Sequence, residues 1–322
     1  MRKKILSIVL LLATILSFTG CNSNTDSSAT INIASLKGPT SIGLAKLYKD
    51  SDNGLTDNDY NYSIHGTADE ITAGLSKGEI DIAAIPCNLA SILHNKTEGE
   101  ILIAGINTLG VIYVVSKGVE INSIDDLKGH TIYSTGQGTT PEYTFNYIVE
   151  SHGLNPKEDM TIQYYSEAGE IASLLANKDK AIAVLPQPFV TTVLNSNPDV
   201  TLSLDLTKEW EKINKDSTVV TGVIVVRKEF VNDNAEAFKT FIDEYRQSVD
   251  FANNNTSDCA TIIEELDIMK AAIATKAIPY CNVVLITGEE MEQKVTSYLT
   301  VLHNANPQAV GGKLPDTSIF YK

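Results

Sequence analysis

The stretch INIASLKGPTSIGLAKLY, residues 31–48, predicts a strand, a tight turn and a helix in direct succession. Apolar residues alternate over 31–36, as in a half-buried strand, and the break Gly38-Pro39-Thr40-Ser41 follows. Apolar spacing then becomes helical as far as Tyr48. A helix that starts directly after a strand leaves its first backbone N–H groups unpaired. The turn is therefore a candidate binding position.

Residues 1–20 have the pattern of a secretory signal peptide: a basic start, an apolar segment over 5–18, and small residues before Cys21. The apolar segment has fourteen residues and is too short for a membrane-spanning helix, which needs about 20. The end of the segment resembles the lipobox of bacterial lipoproteins, although Phe18 stands where leucine is usual. The resemblance implies that Cys21 is lipidated; the alternative is ordinary secretion. The polar run 22–29 predicts a flexible tether.

Composition and charge exclude several classes of function. Removal of residues 1–20 takes away three of 25 basic residues and none of 40 acidic ones, so the net charge of the mature chain is −18. Such a surface repels nucleic acid and anionic lipid. Cys87, Cys259 and Cys281 lack the spacing of a disulfide framework, and both a Cys259–Cys281 bridge and buried free thiols stay open. No Cys or His pair has zinc-ligand spacing, and we expect no metal or cofactor.

Strands and helices alternate after the opening unit, which predicts an α/β fold with crossover connections. A short strand at 63–64 leads into a helix for which Thr67 and Glu70 form a T-x-x-E capping box. A second strand, 80–85, ends at Pro86, and the run 101–115 supplies two more, broken at glycines. From residue 124 the same pattern starts again.

The two halves match at an offset of one hundred residues. Gly38 and Thr40 correspond to Gly138 and Thr140. Eight further identities fall within about thirty positions, in the same strand–loop–helix order. They pair Ala68, Glu70, Ile71, Leu75, Ile82, Ala83, Pro86 and Asn95 with Ala168, Glu170, Ile171, Leu175, Ile182, Ala183, Pro186 and Asn195. The repeat predicts two lobes of like topology.

A β-branched strand over 219–226 predicts that the chain returns to the first lobe after the second. The remainder is mostly helical. A body of roughly 290 residues is long enough for two lobes at about 100–200 residues each. We expect residues 30–115 and 218–322 to form the first lobe and 116–217 the second, joined by two hinge crossings.

This layout resembles the periplasmic-type substrate-binding proteins of ABC importers, in particular the nitrate, taurine and thiamine-precursor group. The segments that carry the resemblance are the lipobox, the turn Gly38-Pro39-Thr40-Ser41, the strand end Asp81-Ile82-Ala83-Ala84-Ile85-Pro86, the loop 136–141 and the return strand Thr221-Gly222-Val223. The resemblance implies a two-lobed periplasmic-binding-protein fold of type II, each lobe a mixed sheet flanked by helices. It also implies a solute held in the cleft between the lobes.

Ligands of open α/β sheets bind outside the carboxyl ends of the strands. The turns at Gly38 and Gly138 are such ends, and each starts a helix whose positive end suits an anionic or carbonyl group. Tyr113 and Tyr143 are either aromatic cleft residues or core residues. The residues expected at the cleft are Gly38, Pro39, Thr40, Ser41, Gly66, Thr67, Pro86, Asn88, Tyr113, Gly138, Thr139, Thr140, Tyr143, Pro186, Gln187, Phe189 and Thr221.

The basic residues limit the chemistry of the solute. The mature chain has only Arg227 and Arg246, both outside the expected cleft loops, so bidentate gripping of a carboxylate or phosphate is not expected. Lys37 is the one basic residue beside a cleft loop. We expect a neutral or singly charged small organic solute. Thiamine-precursor pyrimidines, sulfonates and other compounds stay open.

The expected function is that of a monomeric extracytoplasmic solute receptor, anchored to the membrane by lipid, that delivers its solute to an ABC permease and its ATPase. An enzyme on the same fold, in pyrimidine or menaquinone-route biosynthesis, is one alternative. Against it, the chain has no G-x-S-x-G or H-E-x-x-H motif. A solute sensor is the other alternative.

Overall fold

The computed structural model describes residues 30–322. The predicted signal peptide, Cys21 and the tether fall outside this part of the chain. The described chain is an α/β structure of two mixed sheets flanked by helices. We call the body around each sheet the first and the second lobe. Within residues 30–322 no helix is both long enough and apolar enough to cross a membrane.

The strands of the two sheets follow one another along most of the described chain. In chain order they are Thr30–Leu36 (β1), Asp59–His65 (β2), Ile82–Pro86 (β3), Ile101–Leu109 (β4), Ile112–Lys117 (β5), Thr131–Thr135 (β6), Thr161–Tyr165 (β7), Ala181–Pro186 (β8), Val200–Asp205 (β9), Val220–Arg227 (β10) and Val283–Ile286 (β11). The central strands β3 and β10 are buried almost throughout, which explains their near-continuous apolar sequences.

The helices connect these strands and cover both sheets. In chain order they are Pro39–Ile42 (α1), Ala45–Asp52 (α2), Ala68–Lys77 (α3), Cys87–Lys96 (α4), Thr140–Ser151 (α5), Ala168–Asn177 (α6), Phe189–Ser196 (α7), Leu206–Ile213 (α8), Lys228–Asp233 (α9), Ala235–Asn254 (α10), Thr256–Glu265 (α11), Ala271–Ala277 (α12) and Gly288–Ala305 (α13). Four short 3₁₀ segments, Ile124–Leu127, Ile278–Tyr280, Pro307–Val310 and Thr317–Ile319, complete them.

The two sheets have corresponding strand orders. The first is β2-β1-β3-β10-β4-β11 and the second is β7-β6-β8-β5-β9. In each sheet three parallel strands adjoin one antiparallel strand, β10 or β5. Each of these two antiparallel strands is the first strand after a crossing from one sheet to the other. Pro86 and Pro186, which correspond at the offset of one hundred, also have corresponding positions in the two sheets. Pro86 lies opposite Gly222 of β10, and Pro186 lies opposite Ile112 of β5.

Three local expectations differ from the structure. The chain leaves the first sheet near Gly110, because β5 pairs with β8 and β9; residues 112–115, expected in the first lobe, therefore lie in the second sheet. Gly105 does not break a strand but lies within β4, where a Cβ would lie 2.8 Å from Leu285 Cδ1 of β11. The capping box at Thr67 is absent, because the Glu70 carboxylate bonds His65 Nδ1 at 2.5 Å instead.

The cysteines within residues 30–322 are all free. Cys87, Cys259 and Cys281 are buried, so the structure contains no Cys259–Cys281 bridge. Burial raises the pKa of each thiol, because a thiolate would lose its hydration without a compensating partner. The three cysteines thus act as small apolar core residues.

Candidate functional site

The loops at the carboxyl ends of the parallel strands meet across the cleft between the lobes. Asn88 Nδ2, just after β3, donates to Gly138 O, just after β6, at 3.2 Å. Phe189 Cε2, after β8, lies 4.0 Å from the position that a Cβ on Gly38 would take, after β1. Glu167 Oε1, after β7, lies 3.2 Å from the position that a Cβ on Gly66, after β2, would take. Three loops of one lobe therefore face three loops of the other.

These contacts are related by an approximate two-fold relation between the lobes. The pair Gly38–Phe189 corresponds to the pair Gly138–Asn88. Adding one hundred to 38 gives 138, and subtracting one hundred from 189 gives 89, one residue from Asn88. In a two-fold arrangement a contact between a loop of one lobe and a loop of the other recurs with the two lobes exchanged, and a loop near the axis faces its own counterpart, as the loops at Gly66 and Glu167 do. This explains why Gly38 and Gly138, although equivalent, contact different loops.

Thr140 and Asn88 form a buried polar contact between the lobes. Both residues have no exposed surface. Thr140 Oγ1 lies 3.4 Å from Asn88 Oδ1 and from Thr221 O of β10. Asn88 Nδ2 also donates to Ala309 O of the segment Pro307–Val310 at 3.1 Å. One turn along α5, Thr144 Oγ1 and Tyr298 OH of α13 are 2.7 Å apart.

Thr40 has a different environment from Thr140. Its hydroxyl donates to Leu36 O of its own turn at 3.2 Å, and its carbonyl accepts from Asn107 Nδ2 of β4 at 3.0 Å. Ser41 Oγ donates to Gly38 O at 3.0 Å. Because one such turn lies in each lobe, the sequence predicts that closure brings Thr40 and Thr140 face to face across the cleft. In the structure both hydroxyls are bonded to protein atoms, and only Thr140 reaches the other lobe.

The loop 136–140 is a turn with two left-handed glycines, Gly136 at φ 73° and Gly138 at φ 75°. Its N–H groups could bind an anion, as the sequence suggested. Instead, Gly138 N donates to the carboxylate of Glu142 at 2.5 Å, and Thr139 Oγ1 donates to Gly136 O at 2.6 Å. The chain's own carboxylate therefore occupies the position that an anionic ligand group would take.

Some of the remaining loop residues hold the loops in place, and others lie at the cleft. Gln187 is buried, its N–H donates to Val111 O, and its Oε1 accepts from Thr191. Pro86 and Pro186 end central strands opposite β10 and β5. Pro39 begins α1 and Thr67 is an exposed N-cap without a side-chain bond. Among these residues, Gly66 and Phe189 lie closest to loops of the other lobe.

The two candidate tyrosines lie in different places. Tyr113 is half-buried in β5 opposite Asp205, and burial followed by this carboxylate raises its pKa to about 12. Tyr143 lines a cavity of about 190 Å³ between α5 and α13. A second cavity, of about 310 Å³, lies between α2 and α10. Both cavities are thus bounded by helices.

Sequence reasoning missed two polar residues at the cleft end of β4. Asn107 Oδ1, Thr108 Oγ1 and Thr221 Oγ1 are buried and have no hydrogen-bond partner. Thr221 was predicted from the return strand; Asn107 and Thr108 were not. Their only sequence signal is a polar pair inside the apolar run 101–109.

Solved structures share this architecture. A crystal structure of an ABC transporter protein from Parabacteroides distasonis is 25% identical, with a TM-score of 0.74 over 91% of this chain and 99% of that one. The periplasmic aliphatic sulphonate binding protein SsuA from Escherichia coli is 11% identical, with a TM-score of 0.73 over 91% and 92%. The periplasmic nitrate-binding protein NrtA from Synechocystis PCC 6803 is 12% identical, with a TM-score of 0.64 over 90% and 83%.

No curated protein matches the chain. The family model described as "ABC transporter, phosphonate, periplasmic substrate-binding protein" matches residues 54–276. The match covers more than half of the 322 residues. It includes the loops after β2, β3, β6, β7 and β8, and the crossings between the sheets. The chain belongs to this family of periplasmic substrate-binding proteins of ABC transporters.

Proposed function

We propose that the chain is a non-enzymatic, extracytoplasmic solute receptor that captures a small organic molecule between its lobes and delivers it to an ABC permease and its ATPase. The observation that carries the proposal is the meeting of strand-end loops from both lobes at one cleft. The proposed lobes are 30–110 with 218–322, and 111–217, because the pairing of β5 moves the first crossing from residue 115 to residue 110. We propose that the protein acts as a monomer.

The contacts between the lobes support a mechanism of closure around the solute. A solute can drive closure only if it binds the closed state better than the open one. Contacts from both lobes meet this condition. The pairs Asn88–Gly138 and Gly38–Phe189 would form when the crossings near 110 and 214–219 act as hinges, as in other hinge-closing binding proteins. The proposed ligand-contacting residues are those predicted at the cleft, together with Asn107 and Thr108.

The first test separates the two threonines. We expect Thr140→Val to weaken solute binding by about 0.5–1.5 kcal/mol, because its hydroxyl contacts the other lobe. Thr40→Val removes a bond within one turn, and we expect little change in affinity. The measurement is calorimetry with a solute found by thermal-shift screening. Equal weakening in both variants would contradict this distinction and favour the sequence-based prediction that both threonines contact the solute.

The second test concerns the membrane anchor. We propose that Cys21 is lipidated and becomes the first residue of the mature chain. We expect mass spectrometry of the protein from membranes to find an acylated N-terminal cysteine, and Cys21→Ala to release the protein from the membrane. A mature chain that begins before Cys21, or that carries no acyl group, contradicts the proposal.

A further inference from the structure

We infer that the cleft takes a small organic cation with N–H groups, such as an amine or an amidine, and not an oxyanion. The inference rests on the proposed function and specifies the charge of the solute. It concerns the loops at residues 36–41, 65–70, 86–88, 135–142, 164–170 and 186–189, which we call the cleft loops.

Charge is the first argument. The cleft loops contain one lysine, Lys37, and five carboxylates, at positions 69, 70, 142, 167 and 170. Lys37 is exposed and its Nζ lies 4.0 Å from Asp267 Oδ2, so its charge is partly offset. An oxyanion in this cleft would lose hydration and meet excess negative charge, which is unfavourable in a closed, water-poor site. A cation would instead find compensating charge there.

The donors that would bind an oxyanion are already used. Gly138 N donates to Glu142, and Asn88 Nδ2 donates to two carbonyls. Pro39 and Pro141 stand in the first turns of α1 and α5, and each removes one N–H group from a helix start. The hydroxyls of the two turns also donate to main-chain oxygens. Few donors at the cleft turns are thus left for an anion, and the unpartnered hydroxyls of Thr108 and Thr221 can donate or accept and so suit a solute of either charge.

Two of the carboxylates face the junction between the lobes without a cationic partner. Glu167 lies against Gly66 of the other lobe. Glu142 accepts from Gly138 N, and burial together with this carboxylate raises the pKa of Tyr164 beside it. None of the ion pairs within residues 30–322 includes Glu142 or Glu167. Both carboxylates stand at helix starts, which explains their presence but leaves their charge uncompensated by a cation.

The unpaired acceptor of Asn107 is an independent observation. Asn107 is 1% exposed, its Nδ2 donates to Thr40 O, its amide lies beside the Tyr245 hydroxyl, and its Oδ1 has no donor. Oδ1 lies beside Gly222, 2.5 Å from the position of a Cβ there, at the cleft end of the first sheet. A buried acceptor without a donor costs about 1–3 kcal/mol. An N–H group of the solute would remove this cost, whereas an oxyanion oxygen has no hydrogen to donate.

Aromatic residues at the same edge also suit a cation. Phe189 faces Gly38, and Tyr113 lies half-buried opposite Asp205. The faces of aromatic rings attract organic cations, by about 0.5–2 kcal/mol per contact depending on desolvation. The combination of carboxylates, aromatic rings and an unpaired acceptor differs from the chemistry that the family description, phosphonate, leads one to expect.

The test uses yeast extract separated by ion exchange into cation-retained, anion-retained and unretained fractions. Each fraction is added to the mature protein in a thermal-shift assay, because a ligand that binds the folded state raises the melting temperature. We expect the cation-retained fraction alone to raise it. Ethanolamine and agmatine are then compared by calorimetry with 2-hydroxyethanesulfonate and 2-hydroxyethylphosphonate, and the bound compound is identified by mass spectrometry.

Variants of Glu142 and Glu167 test whether these two carboxylates bind the cation. With the cation identified in this way, we expect Glu142→Gln and Glu167→Gln each to raise Kd roughly ten- to 150-fold, the equivalent of the about 1.5–3 kcal/mol that a charged hydrogen bond contributes. Glutamine keeps an oxygen that can accept from Gly138 N. Glu236→Gln is the matched control, because it removes a first-turn carboxylate of α10 beyond the other end of β10. We expect its Kd to equal that of the wild type.

The outcomes distinguish the cation inference from the proposed receptor function. Stabilisation by the anion-retained or the unretained fraction alone overturns the cation inference and leaves the proposed receptor function standing. A cation that binds equally well to wild type, Glu142→Gln and Glu167→Gln overturns the roles of these carboxylates. If no fraction raises the melting temperature, the receptor function itself is contradicted together with the inference.

Discussion

Trp210→Ala lowers the free energy of unfolding by about 3–5 kcal/mol, the usual cost of truncating a large buried aromatic side chain. Trp210 is the single tryptophan of the chain and has no exposed surface. It lies on α8 with ring centroids 4.9 Å from Tyr147 of α5 and 5.2 Å from Tyr298 of α13. Because Tyr298 belongs to the first lobe, the cavity would open where the two lobes pack. Urea unfolding followed by far-UV circular dichroism measures the change.

Trp210→Phe is the control for this prediction. It keeps an aromatic ring between the two tyrosines and deletes an indole N–H that has no hydrogen-bond partner. We therefore expect it to cost less than half of the alanine value. A loss below about 1 kcal/mol in Trp210→Ala would mean that the helices close the cavity by moving together, since the cost depends on how far a site collapses.

The architecture was predictable because local and long-range signals agree. Residues 31–48 indicate a strand followed directly by a helix, and the offset of one hundred repeats that unit in the second lobe. Pro86 and Pro186 end equivalent central strands, and the β-branched run at 219–226 forms the antiparallel strand β10. The position of β5 was missed, because an apolar run does not reveal which of two sheets it joins.

The site was only partly predictable. Strand ends indicate where a ligand binds, and Gly38, Asn88, Gly138 and Phe189 do meet at the cleft. Sequence spacing does not reveal which acceptor an N–H group selects. Glu142 could have remained a distant partner of the helix dipole, yet it accepts from Gly138 N and so changes the preferred charge of the loop. The acceptor that an N–H group bonds depends on distances between atoms in the folded structure.

The last prediction concerns Asn88, the residue that joins the lobes most directly. We expect Asn88→Ala to weaken solute binding by about 1–3 kcal/mol, roughly five- to hundred-fold in Kd. The closed state loses the bond to Gly138 O, and this partly buried carbonyl is left without that donor. The empty protein should also become more open, with a larger radius of gyration in small-angle X-ray scattering.

Asn95→Ala separates this effect from a loss of stability. Asn95 Nδ2 donates to Val310 O at 3.1 Å and to Lys313 O at 2.8 Å, so it ties α4 to the same C-terminal segment as Asn88 does through Ala309. None of its hydrogen bonds reaches the second lobe. Both variants should therefore lower the melting temperature, while only Asn88→Ala should raise Kd and the radius of gyration. If the two variants weaken binding equally, Asn88 acts by holding the first lobe together, and the bond to Gly138 O does not contribute to closure.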